Sequence, residues 1–228
     1  MNSSCDKEDI LNKYVNHSGG AYGTDTAGDC IGRHYGFTNH NHYKPYNMLK
    51  GGSKLLKNLN SSIIPVSAEK LKDCRNKVNK ILGTNFKNNI AGNLHSRNYL
   101  QYTNADNIYC ISTIINNHTI SGGTNTAFQL GIKDLSKNVY VFDLKSMKWY
   151  EYLDGLVEID GPPALSYDYS IIGTRTIDNY HVRKVDSYGN SYYAENDNYV
   201  GDELKESVWL EIAKIFKNTL LKENIKND

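Results

Sequence analysis

Apolar residues along the chain form two kinds of pattern, continuous runs and a helical period, and each pattern predicts one kind of secondary structure. Two nearly continuous runs of β-branched and aromatic residues, at 107–115 and 138–144, are typical of buried strands in a parallel sheet. Near the carboxyl terminus, apolar residues recur with the helical period of 3.6. They are Leu204, Val208, Ile212, Ile215, Phe216 and Leu220. This stripe predicts a helix over residues 202–222 that packs against the sheet.

Weaker patterns predict the remaining elements. They are short strands at 13–17 and 170–173, and helices at 25–35, 67–82 and 89–105. Residues 36–62 are rich in His, Asn, Tyr, Gly and Lys without a clear period, and we expect them to be irregular. The first 12 residues and residues 184–201 are expected to be mobile, the latter as a loop or lid.

Two Ser-Gly-Gly turns are the most distinctive feature of the sequence. Ser18–Gly20 follows the strand predicted at 13–17, and Ser121–Gly123 follows the apolar run at 107–115. Glycines between a strand and a helix let the backbone approach a phosphate, and the helix N-terminus offers unpaired N–H groups. Neither turn has the Gly-Lys-Ser/Thr of a P-loop or the G-x-G-x-x-G of a dinucleotide site. The pair predicts a phosphate or nucleotide site of another kind.

The order of the elements indicates one α/β domain spanning residues 1–228. Strand, glycine turn, helix and strand follow one another over residues 107–144, which is a βαβ unit. We therefore predict a Rossmann-like, mostly parallel sheet flanked by helices. Both glycine turns should open at the carboxyl ends of strands, where ligands bind in such sheets.

Charge and composition narrow the choice of partners. Lys plus Arg number 26 and Asp plus Glu number 25, a net charge of +1, so a nucleic-acid partner is not expected. No apolar run is long enough for a transmembrane helix, and the first residues do not resemble a signal peptide. The four cysteines show no CxxC spacing, and we expect reduced thiols in the cytoplasm and no membrane partner.

We expect neither a metal nor a cofactor. Cys30, His34, His40 and His42 lie close together in the sequence, but their spacing matches no zinc template. A serine in either turn would need a neighbouring base to act as a nucleophile, and the sequence shows none.

Several side chains near the turns are candidates for ligand contact, and each has a structural alternative. Asp25 can contact or act on a ribose, or it can stabilise the helix dipole. Arg97 can bind a phosphate or form an ion pair, and Gln101 lies one helical turn further on the same face. Asp143 ends a strand, where it can contact a ligand or accept hydrogen bonds in a turn. Tyr22 can stack on a base.

Five segments of the chain, taken in order, resemble a group of phage and bacterial proteins. They are SGGAYGTDT, HSRNYLQYTNADNIYCIS, SGGTNTAFQLGI, VYVFDLKSMKWY and IIGTR. The resemblance covers about residues 13–220, and the group looks like a branch of the SLOG superfamily, which includes the LONELY GUY phosphoribohydrolases and nucleotide-sensor domains. It implies a Rossmann-like fold, a nucleotide bound at the glycine turns, a homodimer and a phage-like protein in the host cytoplasm.

The chain departs from the LONELY GUY enzymes at their catalytic motif. Those enzymes carry PGGxGTxxE, whose Glu contributes to cleavage of an N-glycosidic bond. The motif falls on Gly122, Gly123, Asn125, Thr126 and Gln129, so that asparagine replaces a glycine and glutamine replaces the glutamate. An amide cannot act as a carboxylate base, although it can still hydrogen-bond a ribose or a base.

Two functions follow from these patterns. The first is binding of a nucleotide or nucleotide-derived small molecule across both turns, which includes sequestration of a signalling nucleotide. The alternative is an N-glycosidase or nucleoside 5′-monophosphate phosphoribohydrolase with Asp25 or Asp143 as the catalytic carboxylate. The predicted ligand-binding residues are Ser18, Gly19, Gly20, Tyr22, Asp25, Arg97, Asn98, Gln101, Ser121, Gly122, Gly123, Thr124, Asn125, Gln129 and Asp143.

Overall fold

A mostly parallel sheet forms the centre of the protein. The computed structural model describes residues 3–21, 23–48, 61–134, 136–173, 181–185, 191–195 and 203–226. The strands are β1 Val15–Ser18, β2 Asn39–Pro45, β3 Ser62–Val66, β4 Asn107–Ser112, β5 Ile114–Asn116, β6 Thr119–Ile120, β7 Asn138–Asp143, β8 Lys148–Tyr152, β9 Leu156–Ile159, β10 Asp168–Gly173, β11 His181–Val185 and β12 Ser191–Glu195. Eight of them form one sheet in the order β3-β2-β1-β10-β4-β7-β8-β9. The first six in this order are parallel, and β8 and β9 are antiparallel.

Helices cover both faces of this sheet. They are α1 Ser3–Leu11, α2 Thr24–His34, α3 Ala68–Leu82, α4 Ile90–Asn104, α5 Thr124–Ile132 and α6 Glu203–Lys222. Successive residues of β4 point to opposite faces, so Tyr109 packs with α1, α2 and α6, whereas Cys110 packs with α3, α4 and α5. The predicted Rossmann-like α/β fold is confirmed. Within the described ranges, no helix combines the length and apolarity that a bilayer crossing requires.

The predicted helices and the strands at 13–17, 138–144 and 170–173 are confirmed, with boundaries within two residues of the expected ones. The helices carry a periodic apolar pattern because one side of each faces the core, whereas β7 and β10 are buried on both faces and contain short apolar runs. Local capping adds to the pattern at α3, where the hydroxyl of Ser67 accepts a hydrogen bond of 3.1 Å from the N–H of Lys70.

The expectation that residues 36–62 are irregular is wrong for residues 39–45, which form strand β2 between β1 and β3. The apolar alternation of a half-buried strand is missing because its buried positions hold His40 and His42. Nε2 of His42 donates to the carboxylate of Asp29 on α2 at 2.8 Å, and the His40 ring lies 3.6 Å from the same carboxylate.

Two further expectations change in detail. The run at 107–115 is not one strand: β4 ends at Ser112, and β5 and β6 form a small antiparallel hairpin before the second glycine turn. Part of the stretch expected as a mobile loop, residues 191–195, forms β12 and pairs with β11. Residues 186–190 and 196–201 lie outside the described part of the chain.

The topology places both glycine turns at one edge of the sheet. From β1 the chain proceeds outward to β2 and β3 and then returns to β4 on the other side, with β10 inserted between β1 and β4. In open α/β sheets such a reversal creates a crevice at the carboxyl ends of the strands. Ser18 and Ser112, which end β1 and β4, lie at this edge.

Candidate functional site

Two adjacent residues of α4 hold the two glycine turns. Nη1 of Arg97 donates a hydrogen bond of 2.9 Å to the carbonyl of Gly19. Nδ2 of Asn98 donates one of 3.0 Å to the carbonyl of Gly123. The turns are more than 100 residues apart in the sequence, yet they meet the same turn of one helix. The structure therefore brings together these four predicted site residues at the carboxyl edge.

The first turn is closed by its own side chains. The N–H groups of Gly19 and Ala21 both donate to Oδ2 of Asp25, at 3.1 Å each. The N–H of Gly20 donates to the hydroxyl of Ser18 at 3.2 Å. Asp25 is 1% exposed, so this carboxylate occupies the place that an anion takes in an open glycine turn.

Gly20 cannot be replaced without strain. Its φ of 59° lies in the left-handed region, and a Cβ there would come within 3.1 Å of Cβ of His42. The first turn thus rests directly on β2. The neighbouring candidate Tyr22 lies outside the described residues.

The second turn is open. The described residues supply no hydrogen-bond acceptor to the backbone N–H groups of Gly122, Gly123 and Thr124. A Cβ added at Gly122 or Gly123 would meet no atom within 4 Å. The helix that follows, α5, has neither a side-chain cap nor an acidic residue in its first turn. Free N–H groups at a helix N-terminus carry partial positive charge and suit an anion.

Three other predicted residues of this region hold the β5–β6 hairpin. Oδ1 of Asn125 accepts from the N–H of Ile120 at 3.1 Å, and Nε2 of Gln129 donates to the carbonyl of His118. The carbonyl of Ser121 accepts from the hydroxyl of Ser112 at 3.0 Å. A hairpin this short is not stable alone, so α5 fixes it through these amides.

Asp143 is also engaged by the backbone. Its carboxylate accepts from the N–H of Ile114 at 2.9 Å and of Ser146 at 3.0 Å. Burial favours a raised pKa for Asp143, but the hydrogen bonds from Ile114 and Ser146 outweigh it and hold the pKa below its ordinary value. A carboxylate stabilised in this way is a weak base.

Gln101 occupies the interior next to Arg97. Its side chain is fully buried, and neither its amide oxygen nor its amide nitrogen has a hydrogen-bond partner in the described part of the chain. Arg97, one helical turn earlier, is 8% exposed and lies with its guanidinium against Gly19. A buried amide without partners is costly, and its presence here is typical of a functional region.

Two residues that were not among the predicted site residues, His95 and Thr126, lie at the second turn. Nδ1 of His95 lies 2.7 Å from the hydroxyl of Thr126, in the first turn of α5. Burial, and to a smaller degree the Arg97 cation, lowers the pKa of His95. Its ring stacks on Phe86 with a centroid distance of 4.0 Å. The sequence contains a signal for His95, because this residue lies three positions before the predicted site residue Asn98 and therefore on the same helix face.

A buried polar cluster lies below the first turn, and it too was not predicted. The Asp29 carboxylate accepts from Nε of Arg33 at 2.6 Å, from Nε2 of His42 at 2.8 Å and from the hydroxyl of Ser61 at 2.5 Å. Burial alone favours a raised pKa for Asp29, but the His42 hydrogen bond, the His40 charge and the Ser61 hydrogen bond lower it well below its ordinary range.

The two histidines of this cluster have different surroundings, and only His42 contacts the first turn. Burial lowers the pKa of His40 to about 4, so the ring is neutral at pH 7 and its Nε2–H donates to the carbonyl of Phe37 at 2.8 Å. His42 binds Asp29 through Nε2, which leaves Nδ1 beside Gly20. No three acidic, histidine or cysteine side chains in the described ranges are arranged to hold a metal ion.

Comparison with known proteins adds no assignment to this geometry. No protein-family model, no curated protein and no solved structure matches the chain. The function must therefore be inferred from the site itself.

Proposed function

We propose that the protein binds a nucleotide or nucleotide-derived small molecule at the carboxyl edge of the sheet, with a phosphate at the second glycine turn. The observation that carries this proposal is the convergence of both turns on Arg97 and Asn98 of α4. It is supported by the free N–H groups of Gly122, Gly123 and Thr124, which lack an acceptor among the described residues.

The second turn has the properties that favour a phosphate. Three neighbouring N–H groups at the start of α5 carry partial positive charge, and the space beside Gly122 and Gly123 is open. A hydrogen bond to a charged group is worth about 1.5–3 kcal/mol, so a few such bonds suffice for micromolar affinity together with contacts elsewhere on the ligand.

The state of the carboxylates favours binding over turnover. Asp25 and Asp143, the candidate catalytic acids, both accept hydrogen bonds from backbone N–H groups. These bonds hold both carboxylates against the backbone of the chain. Gln129 is engaged with the β5–β6 hairpin. A protein that retains its ligand unchanged, as in sequestration of a signalling nucleotide, fits these contacts.

The test is isothermal titration with AMP, ADP-ribose and cyclic di-AMP, followed by chromatography of each mixture. We expect heat of binding with at least one of them and recovery of the intact ligand. Absence of heat with all three contradicts the proposal. Release of free base, lost in Asp25→Asn or Asp143→Asn, would establish the N-glycosidase alternative instead.

A matched pair of variants at Gly123 tests the place of the phosphate. The φ of −66° at this residue equals that of proline, so Gly123→Pro removes one N–H with little backbone strain. Gly123→Ala keeps the N–H, and its Cβ enters open space. We expect about a tenfold or larger loss of affinity in Gly123→Pro and little change in Gly123→Ala. Equal affinities of the two variants would contradict a phosphate at this turn.

The proposal includes self-association, which the resemblance implies. Light scattering of the purified protein measures it directly. A mass of two chains is expected, and a mass of 25.8 kDa would contradict it.

A further inference from the structure

The two glycine turns differ in what they offer to a ligand. In the first turn, Asp25 accepts from the N–H groups of Gly19 and Ala21, and Ser18 accepts from Gly20. At the second turn, the N–H groups of Gly122, Gly123 and Thr124 have no acceptor among the described residues. One turn therefore already contains a carboxylate in its anion position, and the other turn does not.

A cation also lies at the first turn. The Arg97 guanidinium lies against Gly19 and donates to its carbonyl, so one cation and one carboxylate share this turn. Both side chains are almost completely buried, at 8% and 1% exposure. A phosphate arriving there would lie beside a fixed carboxylate and would have to displace it from two N–H donors.

We propose that Asp25 determines ligand specificity by excluding a second anionic group from the first turn. The site then selects ligands with one anionic group, bound at the second turn, and a neutral portion that lies at the first turn. Ligands that carry phosphates at both ends are disfavoured. This inference rests on the proposed function, because it assigns a selectivity to the same site.

The experiment compares ligands that differ in the number of phosphates. The probes are AMP, adenosine 3′,5′-bisphosphate and cyclic di-AMP, so that the second phosphate is offered at two different spacings. Dissociation constants are measured by calorimetry for the wild-type protein and for Asp25→Ala. We expect the wild-type protein to bind AMP at least tenfold more tightly than either two-phosphate probe.

The variant should gain affinity, which a purely structural role for Asp25 does not explain. Removal of the carboxylate frees the N–H groups of Gly19 and Ala21. Asp25→Ala should therefore bind at least one two-phosphate probe fivefold or more tightly than the wild type. Circular dichroism shows whether Asp25→Ala folds. If it does not, the same dissociation constants are measured for Asp25→Asn, which keeps an acceptor but removes the charge.

The outcomes separate the two proposals. Wild-type binding of a two-phosphate probe as tight as that of AMP overturns the role of Asp25 and leaves nucleotide binding intact. A variant that gains nothing for either two-phosphate probe overturns the role of Asp25 as well. If no probe binds the wild-type protein, the proposed function fails, and the selectivity fails with it.

Discussion

Replacement of Asp29 by asparagine tests how the first glycine turn is supported. The carboxylate of Asp29 is fully buried and accepts from Arg33, His42 and Ser61 at 2.5–2.8 Å. An asparagine has nearly the same shape but only one acceptor oxygen and no charge. Because Arg33 then loses the carboxylate that balances its charge, and one of the two hydrogen-bonded oxygens is replaced by an amide nitrogen, we expect the free energy of unfolding at pH 7 to fall by about 3–5 kcal/mol.

The pH dependence provides the sharper part of this test. The pKa of Asp29 in the folded protein lies below its ordinary value, which is about 3.9 in an unfolded chain. Its stabilising contribution is complete above that pH and is lost as the pH falls toward the pKa of the folded state. Urea denaturation at pH 7 and pH 3 should therefore show a large difference between wild type and Asp29→Asn at pH 7 and a smaller difference at pH 3.

Asp73→Asn is the matched control. Asp73 pairs with Lys77 on α3 at 3.1 Å, and both side chains are about half exposed, so no measurable change in stability is expected. Two results refute the reasoning: equal stability of wild type and Asp29→Asn at pH 7, or a difference between them that does not shrink on acidification.

Three further predictions concern the turns and the core. Gly20→Ala should destabilise the protein more than Gly83→Ala in urea denaturation. Both glycines have positive φ, but of the two only Gly20 has a neighbour, His42, within 4 Å of the added Cβ. Equal losses in the free energy of unfolding would contradict this reasoning. Gln129→Glu replaces the donor to the His118 carbonyl by an acceptor. Amide hydrogen exchange in the β5–β6 hairpin should therefore accelerate about tenfold or more. Unchanged exchange would show that Gln129 does not anchor the hairpin. Phe128→Ala removes a fully buried ring and should cost about 3–5 kcal/mol in the same denaturation assay, whereas a loss below 1 kcal/mol would contradict its place in the core.

The sequence predicts the fold best where burial is apolar. The strand at Asn138–Asp143 follows from its continuous apolar run and helix α6 from its apolar period, because exclusion of water from apolar side chains creates both patterns. Strand β2 could not be predicted in this way. Its buried side chains are histidines whose burial depends on Asp29, a residue of another element, and no local pattern records such a pairing.

In the candidate site, too, the sequence predicts the local features but not the contacts between side chains and backbone. The glycine turns and their place at the carboxyl edge are readable from the sequence, because turn chemistry and α/β topology are local rules. The difference between the turns is not readable from it. Asp25 follows one turn and Asn125 the other, and only the structure shows that Asp25 accepts from the turn itself whereas Asn125 accepts from Ile120 of the hairpin.

The position of β10 has a consequence for the assembly of the chain during synthesis. This strand comes from residues 168–173, yet it separates β1 from β4 at the middle of the sheet. Until it has left the ribosome, β1 and β4 lack the strand that joins them, so β3-β2-β1 and β4-β7-β8-β9 each keep one edge unpaired. We therefore expect the crevice at the carboxyl edge to close late in folding, and termination of translation before residue 168 should yield an aggregating product rather than a smaller folded domain.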